Sequence, residues 1–250
     1  STLTGSQFDD SILGSASGDT ITGGGGADSI DAGSGGDTLI YADGSDLSGD
    51  GPVDGGAGTD TIRFTSATAD VDDGDFANVS GDSIEAITLS SGGGNTTITL
   101  GSSGDAATDG LTITGADQTV SGSGDTIDVS GMTEAVTINA GLGDDEITGG
   151  SSGDTITGGS GADVITGGGG ADTLTGGAGA DTFVFSSGDA VSGERVNSDS
   201  SDTIELSTGA DISVVDAEGS GAGIAFNADN LTLSGDASVT MAVAQHEGFG

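Results

Sequence analysis

The sequence predicts an all-β chain wound as a right-handed parallel β-roll or β-helix, a solenoid of stacked coils. Three observations carry that expectation: a glycine-rich nine-residue repeat, an apolar residue locked to it, and short β-patterned runs where the repeat lapses. Ten frames of the form Gly-Gly-x-Gly-x-Asp-x-(Ile/Leu/Phe)-x fill residues 5–40, 55–63 and 140–184.

Each part of the frame has a physical task. Glycines at its first, second and fourth positions permit the positive φ angles of a tight turn. The last three positions suit a short strand whose middle residue alone faces inward. That residue is Ile12, Ile21, Ile30, Leu39, Ile62, Ile147, Ile156, Ile165, Leu174 or Phe183. Two turn–strand units complete one coil, so residues 18 apart stack on the same side.

The aspartates keep the same register: Asp10, Asp19, Asp28, Asp37, Asp60, Asp145, Asp154, Asp163, Asp172 and Asp181. Stacked strands lie about 4.8 Å apart, which is close to the span of two oxygens on opposite sides of one Ca²⁺ at about 2.4 Å each. Calcium therefore fits between Asp10 and Asp28, Asp19 and Asp37, Asp145, Asp163 and Asp181, and Asp154 and Asp172. An oxygen-only environment selects Ca²⁺ over zinc or copper. These ten aspartates are the candidate metal ligands, and multiple Ca²⁺ the candidate cofactor.

The chain has 41 acidic residues against Arg63 and Arg195, a formal charge of −39. That excludes nucleic acid and anionic membrane surfaces as electrostatic partners. Scattered aspartates read equally well as a solvated acidic surface, but salt adaptation imposes no nine-residue period. With 52 glycines and 3% aromatic residues, composition alone would suit a flexible linker. The periodic apolar residue argues for order conditional on a ligand. One buried aliphatic side chain per repeat contributes about 1.5–3 kcal/mol. Ordering nine residues costs on the order of 10 kcal/mol. Stacked carboxylates add repulsion, so metal binding is expected to drive folding.

There is no cysteine, no stretch of about 18 apolar residues, and no signal peptide at Ser1–Thr4. The first frame starts at Gly5, and we expect no N-terminal cap or catalytic domain ahead of it.

The frame resembles the repeats-in-toxin (RTX) nonapeptide, a calcium-binding β-helix repeat. The resemblance implies that turn carbonyls complete each calcium shell. Frames 5–13 and 14–22 depart from it with Ser6, Phe8, Ser15 and Ser17, and frame 149–157 with Ser152. These departures weaken the expected calcium sites there, and the isolated frame at 55–63 is expected to bind weakly or to cap a block. Phe76–Ser80 leading into Ile84–Leu89 is similar to segments between RTX blocks in bacterial surface-layer proteins. Asp181–Phe185 with Asp202–Leu206 resembles the closing repeat of type I secreted RTX proteins, whose C-terminal region carries an uncleaved export signal.

The expected organisation is an N-terminal block over 1–63, an irregular β-solenoid over 64–139, a second block over 140–184 and a β-rich region over 185–250. Residues 41–54 read as a protruding acidic loop, with Asp43, Asp46, Asp50 and Asp54 as secondary calcium candidates. Strands are expected at Ile84–Leu89, Thr96–Leu100, Leu111–Thr114, Thr126–Val129 and Ala135–Asn139, with no helical period, and a final strand at Val239–Val243.

No catalytic motif appears, and the single histidine, His246, sits in the tail. Glycoside chemistry needs aromatic platforms, and there is no tryptophan and one tyrosine. Thr-x-Thr triplets at Thr20–Thr22, Thr155–Thr157 and Thr173–Thr175 suggest ice binding. That needs an unbroken rank of threonines, whereas the intervening frames present Ser29/Asp31, Thr38/Ile40 and Val164/Thr166, so the sequence sets ice binding aside. The expectation is a non-enzymatic, calcium-dependent structural protein, exported by type I secretion without an N-terminal signal peptide. It would assemble head-to-tail with copies of itself into an extracellular filament, matrix or surface layer, with a cell-surface polysaccharide as a further candidate partner. The alternative is a secretion and folding module, or an adhesin segment, of a larger type I secreted system.

Overall fold

In a computed structural model, residues 1–66, 68–80, 83–89, 95–101, 110–115, 124–186, 195–197, 202–206 and 230–233 are described. They form an all-β solenoid in which every strand pairing is parallel. One side is a ten-stranded sheet running from Thr2–Thr4 to Arg195–Asn197. The chain returns along the other side through a sheet holding Ser11–Ser15, Ser29–Gly35 and Val53–Asp54. An eight-stranded sheet from Asp70–Asp72 to Asn230–Leu233 continues that side.

Consecutive strands alternate sides, because each turn reverses the chain. The inward residue of each strand joins one continuous core. Of the ten apolar positions expected there, nine are buried, and Ile12 in the first coil is half-buried. Register is strict: Thr137, Ile138 and Asn139 face Thr155, Ile156 and Thr157, which face Thr173, Leu174 and Thr175.

Residues 64–139 continue the stack. Strands Ala86–Leu89, Thr97–Thr99, Thr112–Thr114, Thr126–Asp128 and Thr137–Leu142 fall close to the expected runs and pair onward in both directions. Coils are 18 residues long in the repeats and up to 29 between Thr96 and Asp125. The wider coils hold more apolar residues, including Phe64, Phe76, Ile84, Leu100, Leu111 and Met132.

Two expectations need correction. Residues 41–54 are not a protruding loop: Gly44–Gly49 form a short helix, α1, whose Leu47 is fully buried. Asp43 caps it, its carboxylate accepting from the Ser45 backbone N–H at 3.0 Å, which satisfies a donor the helix start leaves open. The segment expected to lack helix also contains a 3-10 turn, Asp73–Phe76, capped by Asp72. The final strand expected at Val239–Val243, and His246, lie outside the described residues.

Candidate calcium-binding turns

Each frame aspartate sits at the end of its turn, just before the strand. The side chains stack into two ladders, one for each side of the solenoid. On the first side, the Asp19 backbone N–H donates to Asp37 Oδ1 at 2.6 Å. Asp37 N–H donates to Asp60 Oδ1 at 2.7 Å, and Asp60 N–H to Glu85 Oε2 at 2.6 Å. After Leu111 the ladder resumes, with Val136 N–H donating to Asp154 Oδ1 at 2.9 Å and Asp154 N–H to Asp172 Oδ1 at 2.8 Å.

On the second side, Asp10 N–H donates to Asp28 Oδ1 at 2.8 Å, and Asp28 N–H to Asp50 Oδ1 at 3.0 Å. Beyond Ala69 and Thr96 the ladder runs through Asp125, Asp145, Asp163, Asp181 and Asp202, each backbone N–H donating to the next Oδ1 at 2.7–3.1 Å. The structure thus stacks every pair expected from the 18-residue spacing. It also removes the isolation of Asp60, which stands between Asp37 and Glu85.

Three ladder members escaped the sequence reading, Glu85, Asp125 and Asp202, whereas Asp50 was among its secondary calcium candidates. Asp125 and Asp202 each precede a Thr-Ile pair as the frame aspartates do, but they lie 20 and 21 residues from their neighbours. Counting by nines misses them. Asp144 was also missed; its carboxylate accepts from the Ala162 N–H one coil on, at 2.9 Å. Of the four acids in 41–54, only Asp50 enters a ladder. Asp43 caps α1, Asp46 accepts from Ala42 N–H at 3.0 Å, and Asp54 accepts from Gly56 N–H at 2.9 Å.

The second carboxylate oxygen separates strong turns from weak ones. At Asp37, Asp60, Asp145 and Asp163 it is buried with no hydrogen-bond partner. A buried unpaired acceptor is costly, and a hard cation bound there would satisfy it. In the degenerate frames the turn supplies a donor instead. Ser6 N–H reaches Asp10 Oδ2 at 2.6 Å, Ser15 N–H reaches Asp19 Oδ2 at 2.7 Å, and Gly150 N–H reaches Asp154 Oδ2 at 2.7 Å.

The glycines make room for this oxygen. A Cβ on Gly158 would sit 2.2 Å from Asp163 Oδ2, and one on Gly176 would sit 2.1 Å from Asp181 Oδ2. Gly159, at φ +126°, takes a conformation that side chains disfavour, and its added Cβ would lie 2.0 Å from the Gly141 carbonyl.

Burial raises the carboxyls of the second block. Asp145 is pushed up to about 7, first by desolvation; the Asp125 backbone hydrogen bond opposes the rise, and the charges of Asp163, Asp125 and Asp144 add to it. Asp154 and Asp163 rise to about 6, again chiefly by desolvation. Asp60 is raised by the same cause, whereas the Ser6 backbone and side-chain hydrogen bonds hold the half-buried Asp10 below the usual carboxylate range. The turns of Asp60, Asp145 and Asp163 are thus electrostatically unfavourable without a cation.

Among the described residues no three acidic or imidazole groups gather as a metal cluster. Carboxylates arrive in pairs along the ladders, so the six to eight oxygens that calcium takes must include turn carbonyls. The residues fit calcium on charge, on oxygen chemistry and on the unpaired buried acceptors. They define a class: a parallel solenoid whose turns are built for a hard cation. Residues 4–39, 128–156 and 148–183 match the model of the RTX calcium-binding nonapeptide repeat, four copies long. These stretches are RTX nonapeptide repeats, which bind calcium. No curated protein and no solved structure matches the chain. Among the described residues no helix is long and apolar enough to cross a membrane.

Proposed function

We propose that this is a secreted, non-enzymatic structural protein whose folding is switched by calcium and whose folded form assembles with copies of itself. The observation that carries the reading is the set of buried carboxylate oxygens left without partners at Asp37, Asp60, Asp145 and Asp163. A cytosol poor in calcium would leave these turns repelling one another, and a calcium-rich exterior would close them. That behaviour suits a chain exported unfolded by a type I system.

Assembly is supported by the first coil. Among the described residues, strands Thr2–Thr4 and Ser11–Ser15 each pair on one side only, and Phe8 and Leu13 stand 78% and 72% exposed beside them. Open parallel edges recruit further strands. A heterologous contact between the two ends of successive molecules gives an open filament or layer. Electron microscopy and light scattering of the purified chain, with and without millimolar calcium, test this. Ordered polymers only in calcium are expected. A folded, calcium-loaded monomer over a wide concentration range would refute assembly and favour a calcium-folded module of a larger secreted protein.

A further inference from the structure

We propose that the ten-stranded sheet presents an ice-binding face. The sequence reading set ice binding aside because frames with other residues intervene between the Thr-x-Thr triplets. The fold removes most of that objection. Ser29/Asp31 and Val164/Thr166 belong to strands on the opposite side of the solenoid. On the ten-stranded sheet the outward residue ahead of the buried one is Thr2, Thr20, Thr38 and Thr61 in the first half. In the second half it is Thr112, Thr137, Thr155 and Thr173. Only Ala86 and Arg195 differ in that rank. A second rank runs two residues on, with Thr88, Thr114, Thr157 and Thr175 among its members. Ile40, Arg63, Asn139 and Asn197 interrupt it.

A second observation is independent of the threonines. The ten strands of this sheet contain no acidic residue, in a chain with 41. The strands of the opposite side carry seven, Asp31, Asp72 and Glu146 among them. One face has been kept free of negative charge while the other has not. Carboxylates hold their own hydration shells, which an ordered water lattice cannot incorporate, so ice contact needs an acid-free face; Arg63 and Arg195 are the charged register positions of the two ranks.

The geometry suits the same ligand. Parallel coils set the threonines about 4.8 Å apart along each rank, and alternate residues of a strand set the ranks about 6.6 Å apart. Both periods are of the size of the oxygen repeats on a prism face of ice. Threonine offers a hydroxyl to bond lattice water and a methyl to sit between water molecules. Its β-branch restricts χ1, so little rotamer freedom is lost on contact. Among the described residues, no rank hydroxyl makes a hydrogen bond within the protein, and Thr137, Thr155 and Thr173 are exposed. A crystalline polysaccharide would call for aromatic stacking, and the outward ranks carry no aromatic residue.

The proposal needs only the calcium-folded solenoid and is independent of self-assembly. The test uses the full chain in millimolar calcium, folded by circular dichroism, with thermal hysteresis and ice-crystal shaping as readouts. Thr155→Tyr and Thr137→Tyr should each cut the activity several-fold, whereas Thr166→Tyr, on the opposite side, should leave it unchanged. A folded intact chain with no effect on ice growth would overturn the proposal. So would equal losses from the three variants. Sedimentation showing instead a dimer abolished by Thr155→Tyr, with no ice activity, would assign the face to a second copy and likewise overturn it.

Discussion

Acid should substitute for calcium. The perturbation is pH in calcium-depleted protein, and the groups are Asp145, Asp154 and Asp163, raised from 3.8 to about 7, 6 and 6. At about 1.4 kcal/mol per tenfold change in proton affinity, moving one carboxyl from 3.8 to 6 costs the ionised, metal-free fold about 3 kcal/mol. The three together cost on the order of 10 kcal/mol, comparable to the whole stability of an ordinary domain. The folded values lie above the unfolded ones, so protonation favours the fold. That contribution is complete below about 4 and lost as pH rises through 6 to 7. Circular dichroism of dilute, calcium-free protein should therefore show strand signal near pH 4.5 and coil near pH 8. In saturating calcium the strand signal should persist at pH 8, and the calcium midpoint should rise as pH falls below 7. A calcium-free spectrum unchanged between pH 8 and 4.5 would refute the reasoning.

Three substitutions separate metal binding from packing. Asp163→Asn keeps an acceptor for the Asp145 N–H but removes the charge at an unpaired oxygen. At calcium a hundredfold above its dissociation constant, loss of one site would cost about 2.7 kcal/mol. Calcium-dependent melting should fall accordingly while acid-induced folding is kept; loss of both would mark a purely structural role. Gly159→Ala should destabilise by at least about 1–3 kcal/mol through its positive φ and its clash with the Gly141 carbonyl. Gly49→Ala, whose Cβ would meet nothing within 4 Å, should be neutral in the same thermal melt.

Much of the fold was legible because the repeat fixes two things at once, a turn and an inward side chain. The irregular segment was legible strand by strand for the same reason: β-branched alternation marks which residues can pair. What the sequence hid depends on coil length. A parallel solenoid requires its strands to pair in register but leaves each turn free to grow. Asp125 and Asp202 therefore hold ladder positions at spacings that break the nine-residue count. The same alternation of sides separated the threonine ranks from the frames interleaved with them. Within the repeats the 18-residue spacing already reports that alternation; across 64–139, where coil length varies, only the fold shows which side a strand occupies. Helix α1 was missed because six residues are too few to show a helical period; its signals were the Asp43 cap and the single apolar Leu47.

The ladders are interrupted in neighbouring coils, first on one side and then on the other, which divides the solenoid energetically. Ala69 and Thr96 on one side, and Leu111 and Val136 on the other, stand where carboxylates stand elsewhere. These coils have less carboxylate repulsion for calcium to relieve, and they bury Ile84, Ile87, Ile98, Leu100, Ile113 and Met132. Repeat solenoids gain stability coil by coil from nearest neighbours, so unequal coils open unequally. Hydrogen exchange in limiting calcium should thus find the amides of Ala86–Leu89, Thr97–Thr99 and Thr112–Thr114 protected after those of Val164–Thr166 and Thr173–Ala178 have exchanged. In saturating calcium the order should narrow, because each bound ion adds its binding free energy to the carboxylate turns alone. If all of these strands lost protection at one calcium concentration, the solenoid would be a single cooperative unit, and the proposed division between metal-held and apolar-held coils would be wrong.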